Sequence, residues 1–142
     1  MKDAKKFLQQ LEMIDLKIMN KLIEREQVRS IATGISASVG GDRVQSSGNG
    51  HKLEEAVIKL IDLESEIDAL VDELIDTKRV VIGVIEKLDS PTEYNVLHKR
   101  YVQFQSLQDI SDDYDREYTW VTTTHGRALK NVQKIIDSLE KV

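Results

Sequence analysis

Cysteine is absent from this 142-residue chain, and proline occurs once, at position 91. Without thiols there is no disulfide framework and no thiolate metal site, which agrees with a reducing compartment. No apolar run approaches the roughly 18 residues that span a bilayer. The opening Met1-Lys2-Asp3-Ala4-Lys5-Lys6 also lacks the apolar core of a secretory signal. The expectation is a cytoplasmic protein with no membrane contact. There is no internal repeat and little length for a cofactor domain, so no cofactor and no enzymatic activity are expected.

Excess basic charge is also missing. The net charge is −5, which by itself argues against a nucleic-acid binder, because cations on phosphates supply most non-specific affinity. The distribution matters more than the sum. Between His51 and Ser90 acidic residues outnumber basic ones 11 to 5, whereas from Met1 to Thr33 the balance is 7 basic to 5 acidic. From Pro91 onward 7 basic groups face 8 acidic ones, but Arg127, Lys130 and Lys134 lie on the last helical pattern while Asp109, Asp112, Asp113 and Asp115 gather just before it. A small dipolar domain of this kind can present one usable face.

What is present is helical periodicity. From about Asp3 to Thr33, Phe7, Leu11, Ile14, Ile18 and Leu22 recur at spacings of four and three, an amphipathic helix of about 45 Å ending at Gly34. Gly34 to Gly50 holds five of the seven glycines and reads as a flexible linker without a phosphate-loop pattern. His51 to Leu88 forms the second long helix. Leu53, Val57, Leu60, Glu64, Ile67, Val71, Leu74, Lys78, Val81, Ile85 and Leu88 mark a coiled-coil seam that Glu64 and Lys78 interrupt. The two helices are expected to fold back as an antiparallel hairpin. Leu63, Leu70, Ile75, Val80 and Val84 lie off that seam, so the hairpin calls for further helices, and a homo-oligomer, a dimer by preference, is expected.

Asp89-Ser90-Pro91-Thr92-Glu93 is a junction, with Ser90 as cap and Pro91 at the first helical position. A helix from Pro91 to about Gln103 follows, then a short one capped by Ser106 that turns Leu107, Ile110 and Tyr114 inward. After the turn Asp115-Arg116-Glu117, Tyr118 to about Glu140 places Val121, Thr124, Ala128, Val132, Ile135 and Leu139 along an inner stripe. Thr119, Trp120, Thr122, Thr123, Gly126, Arg127 and Lys130 face the other way. Three helices with a turn before the last is the plan of a helix-turn-helix. Threonine hydroxyls suit phosphates or base edges, and arginine suits guanine. Tyr118, Thr119, Trp120, Thr122, Thr123, Gly126, Arg127 and Lys130 are therefore the candidate DNA-binding residues. Trp120 reads equally as a contact or as packing, and His125 reads as a boundary histidine near phosphate rather than a metal ligand. The sequence assembles no metal site: Asp112, Asp113 and Asp115 read as solvated charge.

The segments Tyr94-Asn95-Val96-Leu97-His98-Lys99-Arg100-Tyr101, Ser106-Leu107-Gln108-Asp109-Ile110-Ser111-Asp112-Asp113-Tyr114 and Arg127-Ala128-Leu129 resemble region four of bacterial sigma factors. There the pattern is a Glu-Val-Leu-x-x-Arg-Tyr helix, a Ser/Thr-Leu-Glu-Glu-Ile-Ala helix and a recognition helix ending in Arg/Lys-Ala-Leu. Taken whole, with Val44-Gln45-Ser46-Ser47 in the loop and His125-Gly126-Arg127-Ala128-Leu129 near the end, the chain is similar to the sigma-region-four-like late transcriptional regulators of phages and prophages, the RinA/ArpU-type family. It departs from that pattern in its acidic balance and in lacking a basic cluster in the turn.

The resemblance implies a DNA-binding activator of late packaging and morphogenesis genes, with double-stranded DNA and RNA polymerase as partners. The expected architecture is all-α. Residues 1–89 form a helical hairpin and oligomerisation region, and residues 90–142 form the helix-turn-helix domain. Two other readings stay open: a small terminase-like packaging protein, and an adaptor that docks on RNA polymerase without binding DNA.

Overall fold

A computed structural model describes residues 3–39 and 47–141, and all of its regular structure is helical. The elements are α1 (Ala4–Val39), α2 (Ser47–Ile85), α3 (Pro91–Leu97) continued by a π-helical turn (His98–Val102), α4 (Leu107–Tyr114) and α5 (Tyr118–Glu140). Among the described residues no helix is long and apolar enough to cross a membrane. Part of the linker expected at 34–50 is helical. Residues 34–39 continue α1 and 47–50 open α2; the remainder, 40–46, lies outside the described residues, and with it most of the Val44-Gln45-Ser46-Ser47 element. Gly34 stops a helix only when it turns left-handed, and no described glycine has a positive φ.

The chain divides into two compact units, Met1–Ile14 with Leu74–Val142, and Asp15–Glu73. In the first unit one core gathers Phe7, Leu8 and Leu11 of α1, Val81, Val84 and Ile85 of α2, Leu97 of α3, Tyr101 and Val102 of the π turn, and Ala128, Val132 and Ile136 of α5. The boundary expected between residues 89 and 90 thus runs through this core rather than between two cores. The reason is one of size: residues 90–142 alone offer too little apolar surface for a self-sufficient interior, and the ends of the two long helices supply the missing wall. The start of α1 is also tied to α5 by Ala4 N–H donating to Gln133 Oε1 at 2.8 Å.

Local signals fix the short helices. Ser90 Oγ accepts from Glu93 N–H (3.2 Å) with Pro91 behind it, so α3 begins where the sequence places it. The single helix expected from Pro91 to Gln103 instead widens at His98, and Gln103 N–H reaches back five residues to the His98 carbonyl (3.0 Å). Phe104, at φ 60°, then turns the chain toward Ser106, a costly conformation for a bulky residue. On α5 the inner stripe runs Val121, Thr124, Ala128, Val132, Ile136; Ile135 is half-buried and Leu139 is 48% exposed. The buried line thus advances by four-residue steps from Thr124 to Ile136 and winds gradually round the helix.

The second unit is a helical hairpin. Lys21 pairs with Glu66 (3.0 Å) and Arg25 with Glu64 (2.9 Å), so residue numbers rise on one helix as they fall on the other. The buried side of α2 is Leu53, Ala56, Leu60, Leu63, Ile67 and Leu70, one column over from the expected seam. Leu63 and Leu70 take the places assigned to Glu64 and Val71. The correction has a plain cause: this register keeps the charged side chains of α2 out of the buried column and leaves Glu64 beside Arg25 at its edge. Lys78 is likewise exposed, and Thr77 takes the inner position.

Candidate functional site

The α4–α5 corner is built by side chains that satisfy helix ends. Ser106 and Asp109 form a reciprocal capping box: Ser106 Oγ accepts from Asp109 N–H (3.0 Å), and Asp109 Oδ2 accepts from Ser106 N–H (3.1 Å). Asp115 ends α4 in the left-handed region (φ 51°), a conformation aspartate tolerates better than most residues. Buried Ser111 closes the turn, its hydroxyl donating to the Arg116 carbonyl and its own carbonyl accepting from Arg116 N–H. Beneath the corner Val96, Ile110 and Val121 form a second buried cluster, flanked by Leu107, Tyr114 and Trp120.

Trp120 therefore packs. Its ring lies 5.3 Å from that of Tyr114, and the Arg116 guanidinium sits 4.9 Å over its face. Of the other candidates, Thr119, Thr123, Arg127 and Lys130 are exposed and Gly126 is half-exposed. At 100° per residue these five share the side of α5 opposite its buried stripe. Tyr118, 49% exposed, starts the helix to one side of them. Thr122 is only partly exposed, and its hydroxyl donates to the Thr119 carbonyl (3.0 Å). Exposed Lys134 extends the outward line; it follows Lys130 by four residues, a spacing visible in the sequence. A Cβ on Gly126 would meet no atom within 4 Å, so nothing inside this fold requires glycine there, although it costs about 1 kcal/mol relative to alanine.

Arg127 is not wholly free. Its Nε lies 3.3 Å from Glu93 Oε2, a carboxylate whose side chain is 10% exposed, and Asn131 Nδ2 donates to the other oxygen of Glu93 at 2.7 Å. Glu93, legible in the sequence only as a helix-start residue, is thus an anchor between α3 and α5. Beside it opens a groove of about 290 Å3 between the α2–α3 junction and α5, lined in part by Lys87, Glu93, Asn131 and Lys134.

His125 faces inward rather than toward a phosphate. Its Nε2 is 2.7 Å from the Tyr101 hydroxyl, and the two rings stack at 5.6 Å. Burial, helped by the nearby Arg100 and Lys5 charges, holds its pKa below the ordinary histidine value; burial also pushes that of Tyr101 up. Both rings are therefore neutral at pH 7. Tyr101 itself lies in the widened π turn.

The acidic residues of α4 have partners of their own. Asp113 takes Lys99 at 3.2 Å, and Asp112 accepts from Gln108. Among the described residues no group of three or more His, Asp or Glu side chains is placed to hold a metal ion. No family model matches the chain, and neither a curated protein nor a solved structure matches it significantly.

Proposed function

We propose that the protein is a non-enzymatic, cytoplasmic, phage- or prophage-encoded transcription regulator. It binds double-stranded DNA as a homo-oligomer, with α4–turn–α5 as its helix-turn-helix. The observation that carries this reading is the outward line of Thr119, Thr123, Gly126, Arg127, Lys130 and Lys134 on the second helix of a tightly closed corner. Hydroxyls near the helix start suit base edges and phosphates, and three cations along one side suit a phosphate backbone. A glycine that the fold does not require gives that side a place of close approach. The resemblance to sigma region four adds late-gene activation, with RNA polymerase as a second partner.

A second reading is favoured by α4, where Asp109, Asp112 and Asp113 are all exposed. In a helix-turn-helix the first helix crosses the phosphate backbone, and an acidic one weakens binding there. An adaptor that docks this surface on a basic patch of RNA polymerase avoids that penalty.

The discriminating experiment is a titration against genomic promoter fragments and scrambled duplex at two salt concentrations. Specific binding that weakens with salt supports the regulator; no binding at low salt transfers the case to the adaptor. Arg127→Ala with Lys130→Ala is expected to reduce the log–log salt slope by about 2. The fold should survive, because Glu93 keeps its bond to Asn131. An unchanged affinity and slope in a folded double variant would remove both residues from the interface.

A further inference from the structure

Of the three cations on the outward side of α5, Arg127 is, among the described residues, the one paired with a carboxylate of another helix. That carboxylate belongs to a buried residue: Glu93 is 7% exposed. The local sequence fixes it there. Ser90 Oγ accepts from the Glu93 backbone N–H and Pro91 starts α3, so Glu93 stands in the first turn of that helix. Arg127 and Asn131 are four residues apart, about one turn of α5, and so meet the same carboxylate. Asn131 Nδ2 donates to Oε1 at 2.7 Å, and Arg127 approaches Oε2 with its Nε at 3.3 Å.

Burying a carboxylate is costly, and a neutral glutamine at position 93 would serve Asn131 equally well. The negative charge is therefore explained by Arg127 rather than by the packing of α3 on α5. The ion pair engages only one edge of the guanidinium. With Nε at Glu93 the two terminal amino groups stay available, and the Arg127 side chain is still 58% exposed.

We propose that Glu93 is a positioning residue for duplex DNA: by holding Nε it sets the terminal Nη groups of Arg127 outward, ready for the oxygens of one backbone phosphate. The inference rests on the DNA-binding reading above and names what prepares one of its contacts. A phosphate is the partner for two reasons. The residues of a recognition helix that reach base edges are its N-terminal ones, and Arg127 lies further along α5. A planar guanidinium also matches a phosphate through paired N–H groups.

An unheld arginine loses much rotamer freedom on binding. With that ordering already done in the free protein, binding is tighter by about two- to tenfold. A carboxylate near the interface also repels phosphate, and that effect predicts the opposite sign when the charge is removed.

A double-mutant cycle on the full chain tests the proposal, read by fluorescence anisotropy with a scrambled duplex at low salt, since a phosphate contact does not depend on sequence. Glu93→Gln keeps an acceptor for Asn131 and releases Arg127. It is expected to raise Kd by about two- to tenfold, and to change nothing further once Arg127→Ala is present. Far-UV circular dichroism reports whether each variant is folded. Equal or tighter binding by folded Glu93→Gln would overturn the assignment. So would the same loss with and without Arg127, which would leave Glu93 a packing residue. Independently of any variant, NMR relaxation of the DNA-free wild type is expected to show the Arg127 Nε–H more ordered than that of exposed Arg79; equal mobility would sink the proposal as well. The two readings fail distinguishably. A wild type that binds no duplex removes the DNA reading and this one with it, whereas a wild type that binds with an affinity unaffected by Glu93→Gln removes this one alone.

Discussion

The two units use the same two helices in opposite ways. At the ends of α1 and α2, Leu8, Leu11, Val81 and Ile85 are completely buried against Leu97, Ala128 and Val132. In the middle, the same helices bury one side and leave Met19, Ile23, Ile58 and Ile61 more than half exposed. A hairpin has only one internal seam, so each helix keeps apolar residues it cannot cover. Three further helices cover them at one end. The comparison separates a stretch whose apolar surface is spent on folding from one whose surface remains available for association.

The sharpest way to break the comparison is to cut it. Residues 90–142 expressed alone lose the wall made by Phe7, Leu8, Leu11, Val81, Val84 and Ile85, and are expected to show neither a cooperative thermal transition nor strong helical dichroism. A fragment that melts cooperatively would restore the boundary at 89/90. A smaller effect is expected from single truncations. Leu8→Ala, at 0% exposure, should cost about 2–5 kcal/mol in chemical denaturation. Ile58→Ala, 54% exposed, should change stability by less than about 0.5 kcal/mol. Equal costs would mean that the middle of the hairpin is packed as tightly as its end.

How far the sequence revealed this follows from what each signal depends on. Ser90-Pro91 and the Ser106 cap are local rules, and the structure keeps both. The all-helical class follows from period and composition together. The seam register was not legible, because α2 offers two apolar columns, Ala56/Leu63/Leu70 and Val57/Glu64/Val71. Periodicity alone counted the second, although it placed charge in the seam. Nor was the division into units: that Phe7 and Leu8 meet Val132 and Ile136 is a contact between the two ends of the chain, and no helical repeat encodes it. At the candidate site the outward line of α5 was legible from spacing. Trp120 and His125 were not, since an indole or imidazole at the rim of a stripe turns inward only if a neighbour such as Tyr114 or Tyr101 waits there. The clamp of Glu93 on Arg127 also needed the tertiary structure.

The smallest effect separates the units by pH. Both histidines with displaced pKa values, His98 and His125, lie in the first unit. Burial is the leading cause for each, aided at His125 by Arg100 and Lys5 and at His98 by Lys78 and Lys99, with Glu86 opposing. A histidine whose pKa is lower folded than unfolded binds its proton more readily in the unfolded chain, so stability rises with pH wherever that excess exists. The contribution is complete above the ordinary value of 6.5, declines as pH drops below it, and levels off beneath the folded pKa. Denaturation at pH 7 and at pH 5.5 should therefore show a less stable first unit at the lower pH, and His125→Gln should flatten the difference. A slope that survives in His125→Gln and vanishes in His98→Gln would move the effect from the Tyr101 contact on α5 to the π turn.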